Sequence, residues 1–154
     1  MRRSTLSTVG GAAAGFVVAA GLVARRLGKR AQRPRELRHA RPDQMHFEEV
    51  VPGASRAILW GDPETGPYAA FVRFEPGARL PLHTHTNPIA LVVVSGAYLQ
   101  GSRREGEIRV EAGEYLYNPA GSTHWSGADA QAGCLFYEEG PDRFDIVFAE
   151  EQRH

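Results

Sequence analysis

Apolar positions along this chain fall into two regimes. Ser4 to Ala24 is one run of small and apolar residues without a charge. From Gln44 onward they come in short stretches broken by glycine and proline. These stretches predict strands at Phe47–Val51, Ala57–Trp60, Ala69–Phe74, Arg79–His85 and Ile89–Val94. Further strands are expected at Tyr98–Arg103, Glu107–Val110, Tyr115–Asn118, Leu135–Glu138 and Phe144–Phe148. Turn residues such as Pro52-Gly53, Pro76-Gly77, Gly113 and Gly140-Pro141 separate them. Strands of this length at this interval predict a sandwich or barrel, and no segment here carries a helical period. The residues alone thus give an all-β domain over 44–148 and a tail at 149–154.

One stretch is legible in more detail. Leu91 and Val93 alternate with Val92 and Val94, so both faces of this strand are apolar, as in a central strand covered on both sides. Ser95-Gly96 after it predicts a tight turn, because glycine reaches positive φ without steric cost. Ile89 to Arg103 is therefore expected to be a hairpin.

The first run is long enough to span a bilayer as a helix. Gly11-Ala-Ala-Ala-Gly15 within it is a small-xxx-small pattern of the kind that packs membrane helices. Arg2-Arg3 before it is similar to a twin-arginine export signal, and Val18-Ala19-Ala20 fits a cleavage site. An uncleaved anchor is the rival reading. Arg25, Arg26, Lys29 and Arg30 just beyond the run would then stay cytoplasmic. Residues 1–24 are thus a signal or transmembrane segment, with membrane contact through residues 4–24 and its side open. Residues 25–43 form a basic, solvated linker.

Composition adds an asymmetry that a net charge of zero conceals. The first 42 residues hold ten of the eighteen Lys and Arg and only one acid, Glu36. The remainder holds eight basic and seventeen acidic residues. An acidic domain argues against nucleic acid as partner. The lone Cys134 excludes an internal disulfide, and its apolar neighbours in Gly133-Cys-Leu-Phe-Tyr137 make it buried filler rather than a nucleophile.

The chemistry gathers at the histidines. His83 and His85 are two residues apart, so in a strand they share a face about 6–7 Å apart. Leaning together, two imidazoles can share one metal at about 2.0–2.1 Å each. Gly77, His83, His85 and Gly96 are followed by Gly113, Pro119, Gly121 and His124. In this order and spacing they resemble the two motifs of the cupin superfamily. Within it, the Leu-His-Thr-His start and the Asn-Pro-Ala-Gly-Ser-Thr-His turn are most similar to the cupin domain of ChrR-type anti-sigma factors. The resemblance covers roughly residues 44–148.

It implies a jelly-roll barrel and a divalent transition metal (Fe, Zn, Mn or Ni) on His83, His85 and His124. Two motif positions depart. The motif glutamate falls at Ile89 or Ala90, and the motif asparagine at Ala128, so three histidines remain as the ligand set. Some cupin oxygenases also hold iron on three histidines, which makes a dioxygenase acting on a small organic molecule one expectation. A non-catalytic sensor or regulatory cupin that binds metal or a small ligand is the other. A homodimer is a further expectation. Asn87 is a possible fourth donor by parity, and Glu75 and Glu114 are acid–base groups only if the fold brings them in. Tyr115, Tyr117, Trp125, Phe136 and Tyr137 are candidates for a pocket mouth or for core packing, and the direction of Arg73 stays open. His39, His46 and His154 read as solvated or peripheral.

Overall fold

The computed structural model describes residues 33–102 and 106–149. The expected N-terminal hydrophobic helix lies outside the described residues. Among those described, no helix is long and apolar enough to cross a membrane.

The domain is all-β, as the strand-length runs predict. Its strands are β1 (Glu48–Val51), β2 (Ala54–Gly61), β3 (Tyr68–Phe74), β4 (Arg79–Thr84) and β5 (Ile89–Gly101). They continue as β6 (Ile108–Glu111), β7 (Tyr115–Asn118), β8 (His124–Ala128), β9 (Cys134–Gly140) and β10 (Val147–Phe148). Among the described residues the only helix is one 3-10 turn, Pro42–Gln44. Every pairing is antiparallel, in the order β1-β2-β3-β9-β5-β8-β4-β10, with β6 and β7 also on β5.

The expected hairpin at Ser95-Gly96 does not form. Ile89 to Gly101 is one strand of 13 residues. A bulge between Val93 and Ser95 changes its partners instead of reversing it. The first half pairs with β7 and β9, the second with β6 and β8. β5 is therefore the strand that passes from one layer of the curled sheet to the other. Gly96 sits there at φ +71°, where an added Cβ would collide with the Gly133 carbonyl oxygen. The residue that looked like a turn is a bulge glycine. The two faces of β5 also differ. Ile89, Leu91 and Val93 are buried, whereas Val94 is 45% exposed.

The core lies between the layers. Phe74, Tyr98 and Phe136 form a triangle with ring centroids 5.2–5.9 Å apart. Val72, Leu91 and Val93 pack into the same cluster. Burying a side chain of this size contributes about 1.5–3 kcal/mol. Cys134 is buried in it, and loss of solvation pushes its thiol up to about 12, so it is filler as expected.

The described part of the linker is largely exposed and meets the barrel through arginine side chains. Arg33 stacks on Trp60 at 5.3 Å and pairs with Glu139 at 3.3 Å. Leu37, four residues on, is 99% exposed.

Candidate metal centre

β4 and β8 build the site. Strict alternation from the inward Leu80 would turn His83 outward. A bulge between Leu80 and His83 inserts one residue, with the exposed Pro81 in it, and brings His83 to the inner face. His83 then lies directly opposite His124. His85 follows two residues later on the same side, just past the end of β4. β8 was not among the expected strands. Its sequence, His124-Trp-Ser-Gly-Ala128, has no β-branched residue, and its pairing with β4 and β5 supplies the order.

The three rings converge. Their centroids are 4.5 Å (His83 to His124), 5.0 Å (His83 to His85) and 5.3 Å (His85 to His124) apart. One nitrogen from each lies within 4.8 Å of the other two. All three side chains are buried.

Hydrogen bonds set each ring's tautomer. His83 Nδ1 lies 2.7 Å from the Pro81 carbonyl, His85 Nδ1 2.6 Å from that of Asp145, and His124 Nδ1 3.0 Å from that of Ser122. A carbonyl can only accept, so each Nδ1 carries the hydrogen and each Nε2 a free lone pair. This is how metal-binding histidines are oriented by their surroundings. Burial holds all three rings below the ordinary imidazole value, His124 at about 4, so they are neutral. His124 Nε2 is buried without a hydrogen-bond partner. Three neutral, inward lone pairs with one left unsatisfied fit a divalent transition metal.

Neighbouring segments fix these positions. The Gly121 amide donates to the His85 carbonyl at 2.9 Å, tying the Pro-x-Gly turn to His85. Asp145 accepts from the Thr86 amide and hydroxyl at 2.7 and 2.6 Å, so the segment whose carbonyl holds His85 is itself pinned. The expected strand Phe144–Phe148 is regular only at β10. Phe144 to Ile146 instead close the site.

His83 and His85 open into a cavity of about 50 Å³, lined also by Arg56, Glu138, Tyr98 and Phe136 among others. Glu138 accepts a 2.6 Å hydrogen bond from the Tyr68 hydroxyl, and both side chains are buried. Burial raises the Glu138 carboxyl above its ordinary value against the opposing Tyr68 bond and Arg56 charge. Neither Glu138 nor Arg56 was a sequence candidate. The available signal was parity, since Glu138 is in step with Cys134 and Phe136 on β9.

Other candidates fall elsewhere. The Asn87 amide nitrogen donates to the Arg143 carbonyl at 3.0 Å, and Asn87 does not line the cavity. Glu75 and Glu114 are exposed, and Glu114 caps the Glu111 amide. Arg73 points outward over Phe47 at 4.0 Å. Tyr115 and Tyr117 line a separate outer groove, Trp125 lies under Arg79, and Tyr137 packs on Phe71. Of the aromatic candidates only Phe136 reaches the cavity. Ile89 is buried on the inner side and Ala90 only half-buried, so the missing carboxylate corresponds to an apolar interior position.

A family model described as the ChrR cupin-like domain matches residues 36–142. The polyketide cyclase RemF from Streptomyces resistomycificus superposes with a TM-score of 0.62 at 16% identity, over 75% of this chain and 89% of that one. A chain from the complex of Rhodobacter sphaeroides SigE with the anti-sigma ChrR superposes at 0.53 with 19% identity, over 65% of this chain and 50% of that one. At those identities the likeness shows the fold alone. The DNA damage-repair/toleration protein DRT102 from Arabidopsis thaliana is 38% identical over 78 residues, 49% of this chain. The match covers 24% of that relative's own length. The curled β-sheet, the histidine motifs meeting at one point and a family match across most of the described domain lead to one conclusion: this chain belongs to the ChrR cupin-like domain family.

Proposed function

We propose that this protein is a metal-dependent cupin that binds and chemically transforms a small organic molecule. The observation that carries it is the convergence of three Nε2 lone pairs, each with its Nδ1 tied to a backbone carbonyl. His83, His85 and His124 would hold the ion. When bound, a divalent metal supplies Lewis acidity toward an oxygen of the substrate, and three protein ligands leave positions open for it. The chain's own residues do the rest. Glu138 takes or returns a proton at a carboxyl oxygen that burial makes more basic than usual. Tyr68 holds that carboxylate in place. Phe136 and Phe144 give the cavity an apolar wall.

This arrangement supports a proton-transfer reaction on a small oxygenated substrate. The dioxygenase reading draws on the carboxylate-free ligand set. The sensor reading draws on membership of a family described by an anti-sigma factor. One experiment separates them. Full-length protein is loaded anaerobically with Fe²⁺ and exposed to nitric oxide as a surrogate for O₂. An iron–nitrosyl signal lost in His83→Ala supports an open metal site. Oxygen consumption with candidate substrates would then favour the dioxygenase, and substrate deuteration in heavy water that Glu138→Gln abolishes favours proton transfer. Absence of metal from the purified protein, even after reconstitution, overturns the metal-dependent reading.

A further inference from the structure

Arg56 is half-buried, and it borders both the inner cavity and an outer groove. It lies on β2, opposite Glu48 of β1 and Val72 of β3. Its side chain reaches the cavity that His83, His85 and Glu138 line. The guanidinium lies 4.9 Å from the Phe144 ring centroid and 5.7 Å from that of Tyr68. Aromatic faces at this range attract the cation but accept none of its in-plane N–H bonds in the ordinary way. Its Nη1 is buried with no hydrogen-bond partner, and none of the ion pairs among the described residues includes Arg56.

Such a group is costly. Arginine stays charged, offers five donors and has no acceptor. A buried donor left unmade costs more than a surface one, and a charged donor more still. The nearest resident acid in the cavity, Glu138, is already engaged by Tyr68. Glu48, Glu49 and Asp62 share an outer groove with Arg56 without pairing with it. The three imidazoles donate their hydrogens outward to carbonyls, so they contribute no negative charge. His83, His85 and Arg56 border one small cavity.

We propose that Arg56 recognises a carboxylate on the small molecule that enters this cavity, pairing with it while the rest of the ligand points toward the histidines. A planar carboxylate matches the guanidinium fork, and a permanent positive charge selects it over a neutral carbonyl of the same shape. A cavity of about 50 Å³ limits the ligand to a few carbons. Arg56 is on this account a specificity-determining residue. The inference rests on the cavity being a ligand site, but not on the metal being present.

The probes are propionate and its uncharged isostere propionamide. They are titrated calorimetrically into full-length protein, both stripped of metal by chelator and loaded with Zn²⁺. Propionate should bind the metal-free protein at least ten times more tightly than propionamide. Arg56→Gln should abolish that preference and leave zinc stoichiometry unchanged, and Arg56→Lys should keep part of it. If Arg56→Gln does not fold, the side-chain Nε–H resonance of Arg56, assigned by its loss in Arg56→Lys, must move with propionate and not with propionamide. Equal binding of the two probes overturns the proposal. So does carboxylate binding that needs Zn²⁺ and is the same in wild type and Arg56→Gln, an outcome that leaves the metal reading standing. Arg56-dependent binding in a protein that takes up no metal would sink the metal reading and keep this one.

Discussion

His83 and His124 are a direct cross-strand pair, opposite one another on β4 and β8, with ring centroids 4.5 Å apart. They are 41 residues apart in sequence, and the pairing alone makes them neighbours. The one-residue bulge before His83 turns that ring inward, and β8 brings His124 up beside it. His85 completes the triangle from the same segment as His83. The site is thus as rigid as the antiparallel pairing beneath it, which is what a preorganised metal centre requires.

Removal of one ring should be decisive. His124→Ala should lower Zn²⁺ affinity by more than the roughly 10–100-fold that loss of an outer partner produces. Titration against a chelating dye at pH 7 measures it. Because burial holds His124 at about 4, protons should compete with the metal only well below the ordinary imidazole range. Zinc bound at pH 7 should therefore remain bound at pH 6. Unchanged affinity in His124→Ala would refute the three-histidine centre.

Asp145 tests the support of the site. Its carboxylate grips Thr86 and its backbone carbonyl holds His85 Nδ1. Asp145→Ala should free the segment and weaken zinc binding by about tenfold without abolishing it. The same dye competition reads the effect. A wild-type affinity would mean that the carbonyl stays in place without the carboxylate.

Ile89 and Ala90 offer a paired test of the missing acid. Ile89 is buried inside and Ala90 is half-buried against the outer groove. Ile89→Glu should destabilise the metal-free protein by several kcal/mol, since an unpaired carboxylate enters the interior. Zinc should restore part of that loss if the new oxygen reaches the ion. Ala90→Glu should cost less than about 1 kcal/mol and respond to zinc as the wild type does. Urea denaturation with and without Zn²⁺ reports both. Equal losses from the two substitutions would contradict the assigned faces of β5.

Glu138 gives a pH signature. Its carboxyl is raised above the ordinary 4.5, chiefly by burial. The folded protein therefore holds this proton to higher pH than the unfolded chain does. From 4.5 up to the raised value, stability is lost as pH rises. Glu138→Gln cannot ionise and keeps an acceptor for Tyr68. Its melting temperature should gain on that of the wild type as pH rises from 4 to 7.5. A constant difference across that range would show that Glu138 titrates normally.

The sequence by itself determined the class of the fold and which histidines to watch. Short apolar runs between glycine and proline can be buried only as strands, so the all-β domain was legible without coordinates. Period-two geometry places His83 and His85 on one face, and the resemblance to the two cupin motifs adds His124 to them, the three histidines that the fold brings together. What the tertiary structure decided was which way things point. Gly96 reads as a turn until Gly133 approaches it and β5 changes partners there. His83 faces inward only because a bulge adds one residue. β8 is ordered by its neighbours rather than by β propensity. Arg56 and Glu138 are ordinary charged residues in sequence, and they become functional candidates only once the sheet curls and brings both to the wall of one cavity. Local pattern fixes which backbone shape each segment prefers, but register, bulges and burial depend on contacts between residues far apart in the chain.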